Sequence, residues 1–241
     1  MKLAAAAVFS RLIAVALGAA MLGILWNIPV WLAWTEAEAF DWLAGLQVGG
    51  PILAAALSAL AAARGSGRER RAWWLITVGC LLYVVGNVAY IVTALANGPG
   101  VFPEPADAAF FVMALVFGGA MWLYGRRTPR PLAINAFNFS LLYGAMIFGT
   151  LFLLHHEIKA SQLGGFPTVV AFLYPALWGA VAALALLQLL LHTGGARRLP
   201  MAILTAGVVV EAIADFIYAA ELMGGNYHVP GWPHLLWMVS A

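Results

Sequence analysis

From Met201 to Met223 the chain runs for the width of a membrane without a basic residue, yet Glu211 and Asp215 stand near the middle of that run and Glu221 near its end. An ionised carboxylate at a bilayer centre costs roughly 3 kcal/mol on insertion scales. Such a helix is therefore compatible with lipid only if its acidic face turns toward other helices, a partner or a water-filled cavity. Glu211, Asp215 and Tyr218 are spaced i, i+4 and i+7, which puts all three on one face. The polar stripe is expected to face protein.

The rest of the chain has the same character. Of its 241 residues 64% are hydrophobic and 9% charged, where a soluble domain carries about 25% charged residues. The composition is that of an all-α, polytopic integral membrane helical bundle. Apolar runs place spans at about 12–34, 42–63, 72–95, 108–125, 132–154, 168–192 and 201–223, and residues 232–241 open an eighth. The first run is about 20 residues long, longer than the apolar region of a typical secretory signal, and reads as a retained helix. About two turns cannot cross a hydrocarbon core about 30 Å thick, so the eighth span is expected to continue past Ala241 in the natural protein or else to pack as a half-helix. Asp107 is placed to cap the fourth span.

The basic residues set the orientation. The loops at 64–71, 126–130 and 197–198 hold four, three and two Lys or Arg, whereas the intervening loops hold one, Lys159. This bias predicts that the former and the N-terminus are cytoplasmic. The net charge of +2 follows from that topology and carries no sign of nucleic-acid binding. The lipid bilayer is the first partner, and a protein partner or a second copy of the chain could meet the charged stripe.

An internal repeat adds a constraint. A shift of 128 residues pairs Arg70 with Arg198, Gly79 with Gly207, Tyr83 with Glu211, Asn87 with Asp215 and Tyr90 with Tyr218; a shift of 127 then pairs Pro103 with Pro230, Asp107 with His234 and Phe110 with Trp237. Four spans at 1–131 and the remainder at 132–241 read as two parallel copies, with an even number of spans between equivalent positions. Tyr83, Asn87 and Tyr90 repeat the i, i+4, i+7 stripe of the acidic helix. The two stripes are expected to face each other, with Asn87 and the tyrosine hydroxyls hydrogen-bonding the carboxylates. They form either structural glue or a proton-titrating or ligand-binding site.

Other chemistry is sparse. His155, His156, His228 and His234 all fall on the outer side, where imidazoles beside Glu157 could hold Zn or Cu or simply be solvated, and their spacing fits no defined metal motif. His192, near the cytoplasmic end of the sixth span, reads as an interfacial residue, with paired haem ligation as the alternative. The sole cysteine, Cys80, has no partner for a disulfide and reads as a small buried hydrophobe. The chain has no P-loop, HExxH, GxSxG or cysteine pair. No cofactor follows from the residues.

The run WWLITVGCLLYVVGNVAY, the loop PEPAD and an apolar span closed by GRR together resemble the polytopic N-terminal sensor regions of bacterial GGDEF-type diguanylate cyclases and related signalling proteins. The matching positions are Gly86, Asn87, Tyr90, Pro103, Pro105 and Asp107 in the first copy and Asp215, Tyr218 and Trp237 in the second, and the resemblance spans about 72–241. Asn87 stands where an acid is commoner, and His234 where an Asp is expected. The resemblance implies a sensory or input module of the bacterial inner membrane, with any catalytic domain placed after Ala241. The alternative is a non-catalytic accessory subunit of a membrane complex or a small proton-coupled transporter.

Overall fold

The computed structural model describes residues 36–97, 102–125, 132–191, 198–228 and 231–240. The first expected span lies outside them, as do His192 and the whole of the second basic loop. Among the described residues seven helices form a bundle: α1 (Glu36–Arg64), α2 (Gly67–Asn97), α3 (Pro105–Gly125), α4 (Leu132–Ala160), α5 (Gly165–Leu191), α6 (Arg198–Met223) and α7 (Trp232–Ser240). The first six are long and apolar enough to cross a membrane, over Gly45–Arg64, Gly67–Asn97, Pro105–Tyr124, Ile134–Ala160, Gly165–Leu191 and Leu199–Met223. The chain is a multi-pass helical bundle, and leucines, valines and phenylalanines such as Leu53, Val85, Leu115 and Phe148 remain exposed on its outside, as lipid contact requires.

The helices run past the apolar cores that composition marks. The acidic segment 36–41, expected as a loop, forms the first turns of α1. Arg68 to Arg71 belong to α2, so the expected basic loop shrinks to a turn at Gly65 and Ser66, with Gly67 at φ 56°. His155, His156 and Lys159 are helical, not loop, because α4 continues to Ala160. A backbone leaving lipid keeps its own hydrogen bonds until a breaker stops it, so hydropathy underestimates each end.

Packing follows residue size. α2 lies against α1 and α3, α5 against α3, α4 and α6, and α7 against α6 with a lighter contact to α1. Ser58 and Thr77 tie α1 to α2 through hydroxyls 2.9 Å apart. On α2, Gly79 and Gly86 leave room for rings of α3: a Cβ at these positions would lie 2.7 Å from Phe117 and 2.5 Å from Phe110. The most enclosed helix is α5, whose buried Ala171, Ala176, Ala182, Ala183 and Ala185 permit close approach of its neighbours. It, rather than the acid-bearing α6, is the central post of the bundle.

The end of α6 is a Schellman motif. Asn226 N–H donates to the Glu221 carbonyl at 2.8 Å and Gly225 N–H to the Leu222 carbonyl at 3.3 Å, with Gly225 at φ 69°. Glycine takes that left-handed conformation without the penalty of a Cβ. The chain thereby folds back and lays α7 along α6. At 1.5 Å per residue its nine residues span about 14 Å, half of a hydrocarbon core.

Candidate functional site: an acidic, aromatic cavity closed by a half-helix

The two stripes read from the sequence meet. Tyr83, Asn87 and Tyr90 of α2 and Glu211, Asp215 and Tyr218 of α6 line one cavity of about 70 Å³. A single water needs roughly 10–15 Å³ on this measure, so the space holds a few waters or a small ligand. The cavity lies toward the end of the bundle that carries the 102–104 and 226–228 segments. A second, mainly apolar cavity of about 350 Å³ lies toward the opposite, arginine-bearing end, between α1, α2 and α6. Tyr83, Glu211 and Trp237 line both.

The carboxylates are buried, Glu211 6% and Asp215 2% exposed, and the donors that reach them are not the expected ones. Trp237 Nε1 donates to Asp215 Oδ1 at 2.8 Å, and the Ser240 hydroxyl donates to Glu211 Oε2. Both donors come from α7, which closes the cavity. Asn87, expected to bind a carboxylate, instead donates from Nδ2 to the Tyr83 carbonyl of its own helix at 2.9 Å. A short amide side chain on a helix reaches the carbonyl one turn back more readily than a group across a cavity. Asp215 Oδ2 has no hydrogen-bond partner.

Two helix starts supply the rim. Asp107, in the first turn of α3, accepts the Glu104 N–H on Oδ2 at 2.6 Å and the Tyr174 hydroxyl on Oδ1. His234, in the first turn of α7, accepts the Gly231 N–H on Nδ1 at 3.2 Å, so its proton sits on Nε2, 3.2 Å from the Tyr227 hydroxyl. In each case a third-position side chain returns to the N-terminal backbone amide, half of a capping box. Asp107 is therefore not the N-cap expected before the span: α3 begins earlier, at Pro105, and its carboxylate serves the Glu104 amide ahead of the helix rather than the free amides of the first turn.

Sequence reasoning missed Tyr174, Glu104, Tyr227 and Gln47 as members of the cavity. Tyr174 was legible in principle as the one tyrosine in an apolar span, next to Pro175. Glu104 and Tyr227 reach the cavity through the turns that precede α3 and α7, and Gln47 through the packing of α1. Tyr218 is the aromatic hub, with ring centroids 5.0 Å from Tyr227, 5.3 Å from Tyr174 and 5.3 Å from Trp237, all near edge-to-face. Glu104, outside the spans, has its carboxyl pushed up to about 7, first by burial and then by the neighbouring charge of Asp107.

The histidines do not converge. His155 and His156 sit exposed on α4, with His155 Nδ1 2.8 Å from the Phe152 carbonyl, and His228 is exposed, whereas His234 is buried at the cavity. Among the described residues, no three His, Cys, Asp or Glu side chains are placed to hold a metal ion.

Fold and site together define a multi-pass membrane helical bundle that encloses an acidic, tyrosine-rich cavity beneath a half-helix. Comparison of the chain with protein-family models, curated proteins and solved structures returned no match.

Proposed function

We propose that this chain is a sensory or input module that takes a signal into the cavity between α2 and α6 and passes it to the arginine-bearing end of the bundle. One observation carries the reading: the hydrogen bonds that hold Glu211 and Asp215 come from Trp237 and Ser240 of α7. Any ligand or proton that changes those carboxylates changes what holds α7, and α7 also touches α1. Gly207, the counterpart of Gly79, lies under the end of α7, where a Cβ would stand 2.9 Å from the Ser240 carbonyl oxygen. α7 is a lever with its grip at the site.

The same reading makes 1–131 and 132–241 two copies of one unit. Its support is the equivalent placement of Asp107 and His234 in the first turns of α3 and α7, each accepting the amide three residues before it. With the arginine-bearing ends in the cytoplasm, as the charge bias favours, the cavity opens toward the outer side of a bacterial inner membrane and the signal travels inward. This is the arrangement implied by the resemblance to the sensor regions of diguanylate cyclases.

The test is a distance measurement. Spin labels on Ser66→Cys and Leu199→Cys in a Cys80→Ala background report the spacing of α2 and α6 at the arginine-bearing end. Asp215→Leu should change that spacing, because it removes the acceptor for Trp237, whereas Asp215→Asn keeps an acceptor and should leave the spacing as in the parent chain. Identical distances in all three chains would refute the coupling. Proton flux through proteoliposomes that disappears with Asp215→Asn would favour the proton-coupled transporter instead, since buried carboxylates also serve proton relays.

A further inference from the structure

We propose that the cavity binds the head of an organic ammonium ion, a protonated primary or secondary amine, with Asp215 as its hydrogen-bonded counter-ion. This names the ligand class of the sensory site above and rests on that reading. Asp215 lines the cavity at 2% exposure, and while Oδ1 is engaged by Trp237, Oδ2 lacks any hydrogen-bond partner. A buried carboxylate oxygen without a donor loses its hydration uncompensated, so the site is complete only when a donor enters. An ammonium N–H supplies that donor and the opposite charge at once.

The walls select for the same chemistry. Four carboxyl groups, Glu104, Asp107, Glu211 and Asp215, line the cavity, and no lysine or arginine does among the described residues. His234 cannot take the place of a cation there, because its Nδ1 already accepts the Gly231 amide. The remaining surface is largely aromatic, and Tyr83, Tyr218, Tyr227 and Trp237 offer ring faces and edges around the acids. Cations are attracted to such faces within about 6 Å of the ring centre, most strongly where water is excluded. A bare metal ion would need several oxygen ligands at once. No three acidic or imidazole groups converge that way among the described residues. A volume of about 70 Å³ suits an ammonium head with one or two carbons. Glu104, only half-buried, marks the entrance.

Ethylammonium chloride is the probe, titrated into the full chain in detergent with 5-fluorotryptophan in place of tryptophan. The ¹⁹F resonance of residue 237 is assigned by its loss in Trp237→Phe. Ethylammonium should shift that resonance saturably, whereas sodium chloride and tetramethylammonium chloride at equal ionic strength should not, since neither cation carries an N–H. Asp215→Asn keeps an acceptor for Trp237 but removes the charge, and should weaken ethylammonium at least ~10-fold, as loss of a charged hydrogen bond does. Equal shifts from sodium or tetramethylammonium, or undiminished affinity in Asp215→Asn, would overturn the assignment without any variant-folding ambiguity in the first case. The spin-label distance between positions 66 and 199 separates the two claims. Saturable binding with an unmoved distance retains the ligand and rejects the sensor. A distance that responds to Asp215→Leu while the parent chain does not bind ethylammonium rejects the ligand and retains the sensor.

Discussion

The α2–α3 corner and the α6–α7 corner solve one geometric problem with opposite chemistry. At the first, the stripe is neutral (Tyr83, Asn87, Tyr90) and the capping group is an acid, Asp107. At the second, the stripe is acidic (Glu211, Asp215) and the capping group is an imidazole, His234. The first corner is held by rings seated over glycines, Phe117 on Gly79 and Phe110 on Gly86. The second is held by an indole and a hydroxyl on buried carboxylates. Apolar packing is indifferent to protons and ligands, whereas a carboxylate's hydrogen bonds are not. The first corner is the frame, and under the proposed function the second is the part a signal would loosen.

The largest expected effect separates the corners directly. Trp237→Ala should cost about 3–5 kcal/mol in reversible unfolding, as large aromatic truncations do, and should exceed Phe110→Ala by about 1–3 kcal/mol because it also strips Asp215 of its donor. Equal costs in denaturant titrations of detergent-solubilised protein would erase the distinction. Next, Asp215→Leu should lose about 1–3 kcal/mol by leaving the indole N–H unpaired, while Asp215→Asn should stay within about 1 kcal/mol of the parent chain. Thermal unfolding across pH 5 to 8 reads both, and indifference to both substitutions would remove the stripe from any structural or switching role.

Glycine substitutions sharpen the comparison at a smaller scale. Gly86→Ala and Gly207→Ala should each destabilise by about 1–3 kcal/mol through overpacking. Gly86→Ala meets the end of the Phe110 ring, and Gly207→Ala meets the backbone of Ser240. Only the second should therefore alter the ¹⁹F resonance of residue 237; a change in both would mean that the corners are mechanically one.

The smallest effect is the pH dependence of the rim. Glu104 holds its proton to about 7 in the fold, against 4.5 for the free side chain. Below 4.5 both states are protonated, and between 4.5 and 7 the unfolded chain ionises while the folded one does not, so stability falls as pH rises through that window and levels off above it. Glu104→Gln should flatten this slope between pH 5 and 7 in thermal scans, and an unchanged slope would place the titration elsewhere. The groups around Glu104 are Asp107 on α3, Tyr90 on α2, Tyr218 on α6 and Tyr227 after it. Ethylammonium affinity should rise over the same window as Glu104 ionises.

The multi-pass helical character, the approximate position of each described span and the convergence of Tyr83, Asn87, Tyr90, Glu211, Asp215 and Tyr218 were all determined by sequence. Lipid leaves no other place for buried carboxylates, and helical periodicity fixes which residues share a face. Span ends were not legible, because helices such as α2 and α4 continue into polar sequence until Gly65, Ser161 or Gly164 interrupts them. Nor were the partners. Only the tertiary structure decided that Asn87 turns back to its own helix, that Trp237 and Ser240 serve the acids, and that Tyr174, Glu104 and Tyr227 complete the cavity. Those choices depend on where the Gly225 turn delivers α7 and on how closely the alanines of α5 let its neighbours approach, and both are long-range packing outcomes that no local pattern encodes.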